Sequence, residues 1–94
     1  MNAETFHNSL SGDQEPPDIS PYLLSLWYDG KSNWDKAHHI IQDIQTKEAA
    51  WIHAYLHRKE GDMGNADYWY SRAGKKRPAI ALYDEWASLV ETFL

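Results

Sequence analysis

The chain of 94 residues contains no cysteine. Disulfides and thiolate metal sites are therefore excluded, and the absence fits a reducing compartment. Basic residues are also scarce. Nine Lys and Arg stand against 14 Asp and Glu, for a formal net charge of −5. Nucleic-acid binding needs a basic footprint for the phosphates, so no nucleic-acid partner is expected. The only basic run, Lys75-Lys76-Arg77, follows a predicted helix end, where cations complement the helix dipole. No stretch nears the roughly 18 apolar residues of a membrane span. Met1 to Glu4 shows neither the basic nor the apolar region of a signal peptide. A soluble cytoplasmic protein is the expectation. The 5 glycines are isolated, so no Gly-rich phosphate loop exists. No serine sits in a Gly-x-Ser-x-Gly setting. Enzymatic activity is not the favoured reading, and no cofactor is expected.

Aromatic residues are abundant: five Trp, six Tyr and two Phe, 14% of the chain. Such rings bury large areas in a small core, and Trp and Tyr are also the side chains most enriched at binding hot spots. Composition does not separate those two uses.

The spacing predicts an all-α fold of about five helices. Residues 1 to 18 are polar, with only Phe6 and Leu10 as anchors, and read as a loose arm. Residues 19 to 94 read as a single helical-repeat domain. The first helix opens at Ser20-Pro21, a good N-cap followed by Pro at the first helical position, and ends at Gly30 as a left-handed residue. The second opens at Ser32, with Asp35 completing a capping-box pattern, and carries Trp34, Ala37, Ile41 and Ile44 at helical spacing. The third runs from Thr46 to Gly61. Asp62 caps a fourth, with Ala66, Trp69, Tyr70 and Ala73, stopped by Gly74. A fifth follows Pro78, with Leu82, Trp86, Leu89, Val90 and Phe93 on one side. No stretch shows sustained strand alternation.

Ala37 and Ala66 occupy matching places in two similar units, 29 residues apart by number, a period within the solenoid range. The second unit, with Gly61-Asp62, Ala66, Tyr70, Ala73 and Pro78, resembles a tetratricopeptide repeat. In the first half of that unit the family's Trp, Leu and Tyr positions fall on Ala50, His53 and His57, a departure from the pattern. The whole chain is also similar to a group of short bacterial proteins of unknown activity. They share a Trp-Tyr-Asp-Gly-Lys stretch, here Trp27 to Lys31, and a His-Arg-Lys-Glu-Gly-Asp stretch, here His57 to Asp62.

The repeat resemblance implies an interaction module with the first helix of each hairpin on a concave face, and a C-terminal helix as cap. Glu48, Trp51, Tyr55 and Arg58 would face that groove, with Trp27 as neighbour. Two aromatic anchors and a guanidinium fork suit a protein or peptide partner. The competing reading packs Trp51 and Tyr55 in the core. A homodimer joined by its aromatics is a third reading.

A second candidate cluster comprises His53, His57, Glu60, Arg72 and Tyr68, suited to a small anionic ligand or a metal. His53 and His57 are four apart and project from one helix face, a spacing found in zinc-binding helices. His38 on the neighbouring helix would supply a third imidazole. No Glu follows His53, so the zinc-protease motif is absent. Half-buried histidines hydrogen-bonded between helices are the favoured reading over a metal site.

Overall fold

The computed structural model describes residues 1–94. It is all-helical, with six helices rather than about five: α1 (Ala3–Ser9), α2 (Pro21–Gly30), α3 (Trp34–Ile41), α4 (Lys47–Glu60), α5 (Met63–Arg72) and α6 (Leu82–Phe93). None is long and apolar enough to cross a membrane.

The additional helix, α1, lies in the stretch expected as a loose arm. Asn2 caps it, its Oδ1 accepting from the Thr5 N–H at 2.8 Å. Phe6 is fully buried, 6.1 Å from the Trp86 ring, and Leu10 packs against the same core. Burying one Phe contributes about 1.5–3 kcal/mol. Further ties hold the segment: Lys31 Nζ donates to the carbonyls of Leu10 and Gly12 at 2.8 and 2.7 Å, and Tyr28 donates to Glu15.

The remaining helices form two hairpins, α2–α3 and α4–α5, the two most extensive helix pairs. α6 packs on α2 and α4. The main core draws on both hairpins and both termini: Phe6, Leu23, Leu26, Trp27, Ile41, Ile52, Leu56, Trp86 and Leu89. A separate small cluster of Ala54, Ala66 and Tyr70 closes α4 on α5. Two small residues there let the helix axes approach, and Tyr70 fills the remaining space.

From α2 to α5 the helix ends follow the expected chemistry with one exception, while α6 opens at Ala81 without a side-chain cap. Ser20, Thr46 and Asp62 each accept from a first-turn N–H, of Leu23, Ala49 and Asn65. Gly61 and Gly74 adopt left-handed backbone, with φ of 88° and 74°. The exception is the α2–α3 turn. Gly30 is the last residue of α2, and Ser32 takes the left-handed conformation with φ 64°. Asn33, not Ser32, caps α3, its Oδ1 accepting from Lys36 N. Glycine at position 30 answers a packing need instead. A Cβ there would lie 3.0 and 3.1 Å from the Leu10 methyls and 3.2 Å from Trp86 Cζ2.

A candidate metal centre of three histidines

The second half of α4 presents polar residues on more than one face, and each face meets a different neighbour. Three sets result.

The first set surrounds Glu85 of α6, which is 2% exposed. Its carboxylate accepts from Arg58 Nη1 at 2.8 Å, Trp51 Nε1 at 3.1 Å and the Tyr70 hydroxyl at 2.7 Å. Arg58 also donates to the Ile80 carbonyl. Burial raises the Tyr70 hydroxyl pKa, and the hydrogen bond to Glu85 adds to the shift. The second set surrounds Asp29 of α2, also 2% exposed. It accepts from the Tyr55 hydroxyl at 2.6 Å and from Lys59 Nζ at 2.8 Å. Burial, then the Asp29 charge, raises the Tyr55 pKa. A buried carboxylate is costly unless paired and hydrogen-bonded, and both of these are. No buried side-chain polar atom lacks a partner.

The residues expected to line a peptide groove thus go to different places. Tyr55 and Trp27 are each 2% exposed and belong to the core. The Trp27 indole donates to Ser9 Oγ. Trp51 is half-buried and shares Glu85 with Arg58. Glu48 stands exposed in the first turn of α4.

The third set brings His38, His53 and His57 together. Each offers one ring nitrogen, and the three atoms lie within 4.8 Å of one another. His38 comes from α3; His53 and His57 come from successive turns of α4. His53 Nε2 lies 3.1 Å from His38 Nε2. The His53 and His57 rings stack at 4.9 Å, and His38 meets both edge-on, at 4.7 and 5.3 Å. Two tryptophans wall the cluster. Trp34 stacks on His38 at 4.9 Å and 9°, and Trp69 stacks on His53 at 3.9 Å and 14°. The Trp34 indole donates to the Leu56 carbonyl at 2.7 Å, pinning α3 to α4 beside the site.

Glu60 also contacts the cluster, through His57. Its Oε1 lies 2.5 Å from His57 Nδ1. Arg72 and Tyr68 stay outside. The Arg72 guanidinium lies over the Trp69 ring, 5.3 Å from its centroid, and donates to the Tyr68 hydroxyl. Sequence reasoning placed Trp34 and Trp69 on apolar stripes and did not assign them to the site. The i,i+4 spacing of Trp34 and His38 was the available signal. Nothing local marks the Trp69–His53 stack, which depends on the α4–α5 crossing.

The electrostatics favour uncharged rings at His38 and His53. Burial is the main cause that lowers the pKa of His53, to about 4, with the neighbouring His38 and His57 adding to it. His38 is lowered too, by burial first and then by His57. In the metal-free protein, one Nε2–H of the His38–His53 pair donates to the other nitrogen.

No family model, no curated protein and no solved structure matches the chain.

Proposed function

We propose that this domain binds a divalent transition metal through His38, His53 and His57. The gathering of three imidazole nitrogens within 4.8 Å of one another carries the reading. Zinc–imidazole bonds of about 2.0–2.1 Å at tetrahedral angles place two ligand nitrogens about 3.3 Å apart. The His38–His53 separation of 3.1 Å is close to that edge. Metal ligands must be deprotonated, and the lowered pKa values of His38 and His53 keep protons from competing near neutral pH. All-imidazole donors suit zinc, copper or nickel. Calcium and magnesium prefer oxygen. A bound ion would join α3 to α4, which share a smaller contact than the partners within each hairpin.

The test is a thermal melt of the protein with and without zinc. A ligand that binds only the folded state at 100 times its Kd stabilises by about 2.7 kcal/mol. At about 4–8 °C per kcal/mol for a domain of this size, the melting temperature should rise by roughly 10–20 °C. His38→Gln should remove the rise. A wild-type melt that ignores both zinc and nickel would sink the proposal.

A second reading keeps the tetratricopeptide-like hairpin as an interaction module. The Ala54–Ala66–Tyr70 cluster of α4 and α5 supports the hairpin likeness. A concavity of about 310 Å³ lined by Trp51, Lys75, Lys76, Pro78, Ile80 and Glu85 would receive an acidic peptide. Binding of a labelled Glu/Leu peptide that Lys75→Glu leaves unchanged would remove this reading.

A further inference from the structure

We infer that Glu60 is a positioning residue for the metal centre, holding His57 as a directed nitrogen donor; this rests on the three-histidine reading. An imidazole has two nitrogens, and a neutral ring carries its proton on one of them. Glu60 Oε1, 2.5 Å from His57 Nδ1, fixes that proton on Nδ1. Nε2 then holds the free lone pair. With Nδ1 occupied, Nε2 is the atom left to meet the nitrogens of His38 and His53. The same hydrogen bond holds the ring against rotation.

The local backbone makes this contact. Glu60 is the last residue of α4, and its side chain reaches back one turn to His57. Gly61, with φ of 88°, turns the chain into α5 directly after it. The carboxylate also answers a charge requirement. Three neutral imidazoles leave a dication uncompensated in a partly buried site, and Glu60 brings a negative charge one bond network away.

Asp62 lies near enough to form a second ligand group with His57 and Glu60. Its two oxygens, however, accept from the Asn65 N–H and the Asn65 side-chain amide at 3.2 and 2.8 Å, capping α5. The geometry therefore favours an orienting carboxylate over a second ion bridged by His57.

Zinc binding to the full chain, read by competition with a chromophoric chelator, separates these possibilities. The variants are Glu60→Ala, Glu60→Gln and His53→Asn. We expect one zinc per chain in wild type and in both Glu60 variants. Loss of an outer partner of this kind costs about 10–100-fold in metal affinity, so Glu60→Ala should weaken zinc by that factor. Glu60→Gln still accepts from Nδ1–H and should recover part of the loss. The metal-free melting temperature should be little changed in either, so a merely structural role would not reproduce the affinity pattern. Wild-type affinity in Glu60→Ala would overturn the inference and leave the three-histidine site standing. Complete loss in Glu60→Ala, matching His53→Asn, would make Glu60 a ligand instead and also overturn it. So would two zinc ions per wild-type chain falling to one. A wild-type chain that binds no zinc would overturn both readings.

Discussion

The Nε2 atoms of His38 and His53 lie 3.1 Å apart, though the residues are 15 positions apart and on different helices. Two like groups held this close inside a protein share either a proton or a cation. The aromatic walls bear on which. Trp34 and Trp69 stack on the two rings and fix their planes, and rigid side chains are what a site needs to hold ligand geometry.

The walls also give the site a reporter. Copper or nickel bound at the histidines would lie next to two of the five tryptophans. Tryptophan emission should fall on addition of either ion and saturate at one equivalent. His53→Asn should abolish the saturable component. Quenching that rises without saturation would count against a defined site.

Acid should weaken the metal-free protein. The pKa of His53 is about 4 in the folded state, against about 6.5 in an unfolded chain. Between those values the unfolded state binds more protons, so stability rises with pH across that window. The contribution of His53 is fully present above about pH 6.5 and is lost as pH falls towards about 4. His38, lowered in the same direction, adds to it. Urea midpoints measured across this range should decline on acidification, and His53→Phe should flatten the decline. An unchanged slope in that variant would show that other groups carry the acid response.

Glu85 should prove more critical to stability than the histidines. Glu85→Ala leaves Arg58 without its carboxylate, and the Trp51 and Tyr70 donors lose their shared acceptor. Removing one partner of a buried ion pair costs about 3–5 kcal/mol. Denaturant unfolding should show a loss of that size. A loss under about 1 kcal/mol would mean that water replaces the network easily.

Position 30 tests the packing of the N-terminal segment. Alanine would gain up to about 1 kcal/mol over glycine in a helix. The new methyl, however, would press on Leu10 and on the Trp86 ring at 3.0–3.2 Å. Overpacking costs about 1–3 kcal/mol, so Gly30→Ala should be net destabilising, by roughly 1 kcal/mol. Trimming the contact with Leu10→Ala in the Gly30→Ala background should recover part of that through non-additivity. Strict additivity of the two substitutions would remove the steric account.

Much of the helical plan was legible because its signals are local. Ser20-Pro21, Thr46, Gly61, Asp62 and Gly74 act within one turn of where they stand, through caps and left-handed backbone, and the structure uses each as the pattern suggested. The α2–α3 turn was misread because Gly30, Ser32 and Asn33 are each plausible stops or caps. Part of the reason for glycine at position 30 is remote: Leu10 and Trp86 crowd it from distant parts of the chain. The N-terminal helix escaped for a related reason. Phe6 is a single apolar residue in a polar stretch, with no periodicity to announce it, and its burial depends on Trp86 and the rest of the main core, which come from distant parts of the chain.

The same division runs through the candidate site. The sequence by itself determined that the chain is helical, that cysteine chemistry is closed to it, and that His53 and His57 share a helix face, since four residues make about one turn. Tertiary structure alone decided that His38 meets them, that Trp34 and Trp69 enclose them, and that Tyr55 and Trp27 are core rather than groove. Asp29 and Glu85 decided part of that assignment. Each is an ordinary acidic residue in sequence, and each becomes a buried hub only when helices distant in the chain close over it and supply its donors. Helix periodicity fixes which residues share a face. Which face meets which is set by the summed burial of all six helices, a quantity no local stretch of sequence contains.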